Sequence, residues 1–199
     1  MKSLRYALPV VVLLSLFTVA FAQSDAQKAD AQSSMHKSAD KPAPSEAQKS
    51  FDTMKTFAGE WEGLVAVPDA PEMNGGKLHV SLRVTSRGNA LVHELQEANT
   101  PLDSTKYDHP VTMLYVDGEQ LNLIHYCDAG NRPHMTGKMS PDGKTVEFEL
   151  VEVSGSVKYG HMHHSVFTYI DANHHTEDWT YMMPGDKAIH AHFDLHRAN

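Results

Sequence analysis

The residues of this sequence best suited to chemistry are its histidines, fourteen of them in 199 residues. An imidazole changes charge between about pH 5 and 8, ligates metals and carries protons. Which of them are placed to act depends on spacing. His93 alternates with Leu91 and Leu95, and His125 with Leu121, Leu123 and Cys127. On a strand, such alternation puts each imidazole on the face of its apolar neighbours. An inward polar group left unpaired costs about 1 to 3 kcal/mol. Either a bound molecule supplies the partner, with Met113 and Tyr115 as further walls of a pocket, or a neighbour such as Tyr115 or Glu97 does so inside a filled core.

The remaining histidines fall in clusters. In His161-Met162-His163-His164, His161 and His163 share a strand face about 7 Å apart, so a metal held there needs a third ligand from a neighbour. The pattern supports a weak surface site for copper or nickel, ions that imidazole suits. A hairpin around Ala172-Asn173 pairs His163 and His164 with Met182 and Tyr181, which leaves His174 and His175 at the far end. Near the C-terminus, His190, His192, Asp194 and His196 form a stripe near Glu177 and Asp178, opposite in parity to Ile189, Ala191, Phe193 and Leu195. That stripe reads as solvated. The single cysteine, Cys127, has no internal disulfide partner; a small buried hydrophobe is its simplest role and a reactive thiol the alternative. There is no nucleophile elbow, no phosphate loop followed by Lys and no His-Glu-x-x-His helix. No catalytic residue is assigned, and any reaction would fall to His125 as acid or base.

Positioning these groups requires strands. From Trp61 onward the apolar period is two, with candidate strands at 61–67, 77–85, 90–97, 111–116, 120–127, 132–139, 145–153, 163–170, 175–182 and 188–196. Asp117-Gly118, Asp142-Gly143 and Asp171-Ala172-Asn173 mark tight turns. Ten short strands joined by hairpins predict a closed, all-β, antiparallel up-and-down barrel, because closure removes exposed edges. Ahead of it, Ser45-Glu46-Ala47-Gln48 has the capping-box pattern, and Ala47, Phe51, Met54 and Ala58 follow at helical spacing. This predicts a short helix ending near Gly59 and closing one end of the barrel.

The chain ahead of the barrel carries other signals. Residues 1–22 combine Lys2 and Arg5, an apolar run from Ala7 to Val19, and a small-x-small site at Ala20-Phe21-Ala22, the pattern of a secretory signal peptide cleaved before Gln23. The expected location is therefore periplasmic or extracellular. Residues 23–44 are rich in Ala, Ser, Gln, Lys, Asp and Pro and read as a disordered linker; the barrel domain is expected over 45–199. No later stretch approaches the ~20 apolar residues of a spanning helix. Of 17 basic and 25 acidic residues, Lys2 and Arg5 leave with the signal, so the mature net charge is −10 with His neutral. Such a surface repels phosphate backbones and argues against nucleic acid as a partner.

The stretch Phe57-Ala58-Gly59-Glu60-Trp61-Glu62-Gly63 resembles the calycin superfamily, in which a Gly-x-Trp opens the first strand of lipocalin-like barrels after a short helix. The resemblance implies that an Arg from the end of the barrel packs across the Trp, a place that Arg197 occupies, and that Gly59, Trp61 and Arg197 together close the floor. Within the superfamily the chain is similar to secreted bacterial Gly-x-Trp-x-Gly barrels and, more distantly, to nitrobindins. The latter likeness implies haem held by a last-strand His, here His190 of His190-Ala191-His192, although the apolar parity of that strand points His190 outward unless a bulge reverses it. The main expectation is a barrel binding a small, largely apolar molecule with no cofactor; a haem protein and a cavity enzyme are the alternatives.

Overall fold

The computed structural model describes residues 43–198, so the signal peptide and nearly all of the linker expected from the sequence lie outside the described residues. Ser45 caps the helix α1 (Glu46–Lys55), its side-chain oxygen accepting from the Gln48 N–H at 3.1 Å. The apolar stripe of α1, Ala47, Phe51 and Met54, is buried. The helix stops at Lys55 rather than near Gly59, and Gly59 instead opens the first strand.

Ten strands follow: β1 (Gly59–Ala66), β2 (Lys77–Thr85), β3 (Ala90–Glu97), β4 (Val111–Asp117), β5 (Gln120–Tyr126), β6 (Arg132–Met139), β7 (Thr145–Ser154), β8 (His161–Asp171), β9 (His174–Met183) and β10 (Lys187–Arg197). Each pairs antiparallel with its neighbour in sequence, and β1 pairs with β10, so the meander closes on itself without an edge. This is the all-β barrel that the alternation predicts. Gly63 faces Leu195 across the closing seam, where a Cβ would run into the Asp194 carbonyl oxygen. The glycine after the Trp therefore lets β1 and β10 approach.

Two ends result from this topology. The hairpins β2–β3, β4–β5, β6–β7 and β8–β9 and the helix lie at one end, here called the floor; the connections 67–76, 98–110, 127–131, 155–160 and 184–186 lie at the other, the mouth. The floor half is filled by Phe51, Met54, Phe57, Trp61, Leu91, Leu114, Leu121, Phe148, Phe167 and Leu195, each at most 2% exposed. Among the described residues no helix is long and apolar enough to cross a membrane.

One register differs from the sequence expectation. His161 and Met162 pair with Met182 and Tyr181, and irregularities between Met162 and His164 and between Tyr169 and Asp171 absorb the extra residues. The bulge lets Met162 reach the cavity while Ser165 and Phe167, further along the strand, are fully buried. Simple counting from the turn cannot foresee it.

Candidate functional site

The floor is sealed by the three residues expected there. Trp61 is 1% exposed and donates its indole N–H to the Phe57 carbonyl at 2.8 Å. Arg197 lays its guanidinium 4.2 Å from the centre of the Trp61 ring. It also donates to the Ala58 carbonyl at 3.1 Å and the Ala172 carbonyl at 3.0 Å, tying the helix exit to the β8–β9 turn. Gly59 has φ +145°, and a Cβ there would collide with Arg197 Nη1. Its task is thus to admit the arginine, not to end the helix.

Above Trp61 sits a polar cluster wholly inside the barrel. The edge of His175 meets Trp61 at a centroid distance of 4.2 Å and an interplanar angle of 90°. Glu177, 0% exposed, accepts hydrogen bonds from His175 Nε2 at 3.1 Å, from Trp179 Nε1 at 2.9 Å and from His93 Nε2 at 3.0 Å. Burial alone pushes this carboxyl up, but the charge and hydrogen bonds of His93 and His175 outweigh it and hold the group well below the usual carboxylate range. Glu177 is therefore an ionised carboxylate in the core, compensated by three N–H donors. Because His93 and His175 donate through Nε2, each turns its Nδ1 elsewhere, and neither Nδ1 has a partner among the described residues.

The upper half of the barrel is hollow. A cavity of about 430 Å³ is walled mainly by apolar side chains, including Val67, Leu95, Met162, Trp179, Ile189 and Phe193, with His93 and His125 inside it and Asp108, Cys127 and Asp128 toward the mouth. His125 is 4% exposed; Thr112 Oγ1 lies 2.9 Å from its Nδ1, and its Nε2 has no partner among the described residues. Burial, and secondarily the charge on His93, push its pKa down to about 4. At neutral pH it is an uncharged imidazole whose Nε2 is buried and unpartnered. Burial likewise pushes the Cys127 thiol up, so it rests protonated.

Of the four pocket residues expected from sequence, His93 and His125 line the cavity and Met113 and Tyr115 do not. On β4 the buried parity is Thr112 and Leu114, which pair with His93 and Leu91; Met113 and Tyr115 pair with Val92 and Ala90 on the outer face. Glu177 is not a neighbour of a solvated stripe but fully buried, whereas His174 and His175 do lie at the end opposite His161 and Met162, as expected. The readable signal was parity: His175, Glu177, Trp179 and Tyr181 alternate with Thr176, Asp178 and Thr180, and two large aromatics mark the inner face.

β10 pairs with β9 without interruption, so no bulge turns His190 inward. His190 is exposed and binds Asp69 through both its backbone N–H, at 2.9 Å, and Nδ1, at 2.8 Å, while Ala191 lines the cavity. The last-strand histidine implied by the nitrobindin likeness therefore does not fit haem in this barrel. His161 and His163 bring Nε2 and Nδ1 to 3.4 Å, yet they belong to no trio of potential metal ligands. The trios among the described residues are His174/Asp194/His196, Asp108/Cys127/Asp128 and Glu147/Glu149/His164.

No protein-family profile matches this sequence, nor does any curated protein. Among solved structures the chain is similar to Rv2717c from M. tuberculosis, with 14% identity, a TM-score of 0.54, and coverage of 75% of this chain and 98% of that one. It is also similar to the S-type phycobiliprotein lyase CPES from Guillardia theta, with 10% identity, a TM-score of 0.51, and coverage of 79% and 99%. These likenesses are of fold alone, a closed antiparallel barrel.

Proposed function

We propose that this protein is an exported carrier or sensor barrel that holds a small, largely apolar molecule in the mouth half of its interior. One observation carries the reading: a cavity of about 430 Å³ with mostly apolar walls that also contains His125, a buried neutral imidazole with an open Nε2. Binding pockets combine these features, apolar area for affinity and a few polar groups for orientation. Export rests on the signal-peptide pattern of residues 1–22. The fold likeness to a phycobiliprotein lyase supports the barrel, and the ligand is argued from the cavity alone. The test is native mass spectrometry of the protein purified from its own host, with organic extraction of any bound mass. A co-purifying small molecule whose occupancy falls in Ala191→Phe, which projects a ring into the cavity, is expected. A bound mass retained at native occupancy in that variant places the ligand elsewhere and ends the proposal.

A second reading, a reaction in the cavity, is favoured by the pairing of His93 with Glu177. A carboxylate that holds an imidazole through one nitrogen leaves the other as a general base, the arrangement of many nucleophile-activating dyads. On this reading the base is His93 and not His125, whose pKa of about 4 makes it a poor one at neutral pH. Ester and peroxide substrates should then turn over in the native protein and not in His93→Gln. Equal rates in the two dispose of those reactions.

A further inference from the structure

The cavity has a charge character that its apolar walls conceal. Asp108 and Asp128 lie among its lining residues, and no Lys or Arg does. The two carboxylates are neighbours: Asp108 Oδ1 accepts the Asp128 N–H at 3.1 Å. Among the described residues neither has an ion-pair partner; His109 is the only cationic-capable group acting on Asp108. Three groups on this wall report the same field. Burial first, and then the charge of neighbouring acids, raises Asp108, Cys127 and Tyr181 alike. The bias extends over the mouth loops, which carry Asp69, Glu72, Asp103, Asp108, Asp128 and Asp186 against Lys106 and Lys158. The floor hairpins balance Glu119 and Asp142 with Arg87 and Lys144. Acids are therefore concentrated at the one end through which a guest would enter.

Deeper in, His125 is uncharged at neutral pH, and His93, the cavity-lining group that can carry charge, is already paired with the buried Glu177 carboxylate at 3.0 Å. An entering anion would meet two carboxylates at the rim and find the one cation-capable ring below them already paired with Glu177, whereas a cation would relieve the mutual repulsion of the rim carboxylates. His125 supplies an observation independent of the acids, because its open Nε2 is buried and on the same cavity wall.

We infer that the cavity takes an apolar molecule ending in a protonated amine, with the ammonium at the Asp108–Asp128 rim and the apolar body against Trp179 and Phe193, and that it discriminates against alkyl carboxylates. This rests on the carrier reading above and deepens it by naming the class of ligand. The ammonium gains two carboxylates that have no ion-pair partner among the described residues, and an alkyl carboxylate is repelled by them; at these exposed acids the two effects together give about a tenfold preference for amine over carboxylate.

The test uses three probes of one length, decan-1-amine, decan-1-ol and decanoate, titrated at pH 7 and low salt by calorimetry. The amine should bind at least tenfold more tightly than decanoate, with the alcohol between them. In Asp108→Asn/Asp128→Asn the amine should lose its lead over the alcohol to within threefold, while a native thermal unfolding midpoint reports that the barrel is intact. If that variant does not fold, raising NaCl to high concentration in the native protein should narrow the same gap through screening. Decanoate binding as tightly as the amine, or an amine lead untouched by both the variant and salt, overturns the ligand class and leaves the carrier reading standing. Failure of decan-1-ol itself to bind overturns the carrier reading, and the ligand class falls with it.

Discussion

At the floor of the barrel, Arg197, Trp61, Phe57 and His175 stack into a sealed column, whereas at the mouth Trp179 and Phe193 face open space ringed by carboxylates. Both ends use large aromatic rings. The floor surrounds them with partners on every side, whereas at the mouth Trp179 and Phe193 each turn part of their surface to the cavity. An aromatic ring with all its neighbours in place stabilises the fold by the area it removes from water. One facing a cavity contributes less to stability and keeps area in reserve for a guest. Floor residues should therefore be read through stability and mouth residues through binding, and the Glu177 cluster stands between the two.

The largest effect is expected at that boundary. Glu177→Ala leaves the N–H groups of His93, His175 and Trp179 without their shared acceptor inside the core, at a cost of about 5 kcal/mol. Glu177→Gln keeps one acceptor oxygen and should cost less than half as much. Urea unfolding of both variants checks this, and equal losses would mean that the charge, not the donors' satisfaction, is what matters. Trp61→Ala should follow at about 4 kcal/mol, as for other buried aromatics cut to Ala. The comparison requires that the Trp61 variant, at a temperature where it stays folded, bind cavity probes with native affinity. Normal stability with lost binding would reverse the roles of the two ends.

The third effect is a pH dependence. The folded-state pKa of His125 is near 4 against an ordinary 6.5. Below pH 6.5 the unfolded chain takes up this proton and the folded protein does not, so stability is lost as pH falls through this window. Between pH 7 and pH 5 the loss from this one group is about 2 kcal/mol. His125→Gln keeps a partner for Thr112 and removes the titration, so its stability should fall by about that much less over the same interval. Parallel pH profiles for the two proteins would show that His125 is solvated in the folded state.

Much of the barrel was legible because its signals are local. Alternation in Leu78-x-Val80-x-Leu82, in Val146-x-Phe148-x-Leu150 and in Ile189-x-Ala191-x-Phe193 gave the strands and their inner faces. The position of Arg197, eight residues after Ile189 and of the same parity, placed it beside Trp61. What failed was non-local or aperiodic. The bulge at Met162–His164 depends on how β8 must curve to close the sheet, so the pairing of His163 could not be counted from the turn. Met113 and Tyr115 sit in a strand whose residues are apolar on both faces, Val111-Thr112-Met113-Leu114-Tyr115, where alternation gives no preference. Glu177 was passed over because a charged residue is seldom fully buried; only the donors converging from β3 and from its own strand make its position tolerable. The cavity itself is a property of the closed barrel that no single strand records.

The smallest expected effect on stability is also the sharpest test of the contrast between the ends. Ala191 pairs with Trp179 across β9 and β10 and lines the cavity. Ala191→Phe would project a ring into space that the fold leaves unfilled. At the floor such an enlargement would force neighbours from their rotamers and cost about 1 to 3 kcal/mol. At the mouth the added ring buries its own area against Trp179 and Phe193 and should change stability by less than about 1 kcal/mol, in either direction. Probe binding should nevertheless weaken, because the ring takes up part of the cavity beside Trp179 and Phe193. Thermal unfolding and calorimetry on one preparation measure both quantities. A large destabilisation would mean that the mouth half is packed as tightly as the floor. Native stability with native binding would mean that guests lie outside the barrel, and then the cavity beside Trp179 would need another explanation.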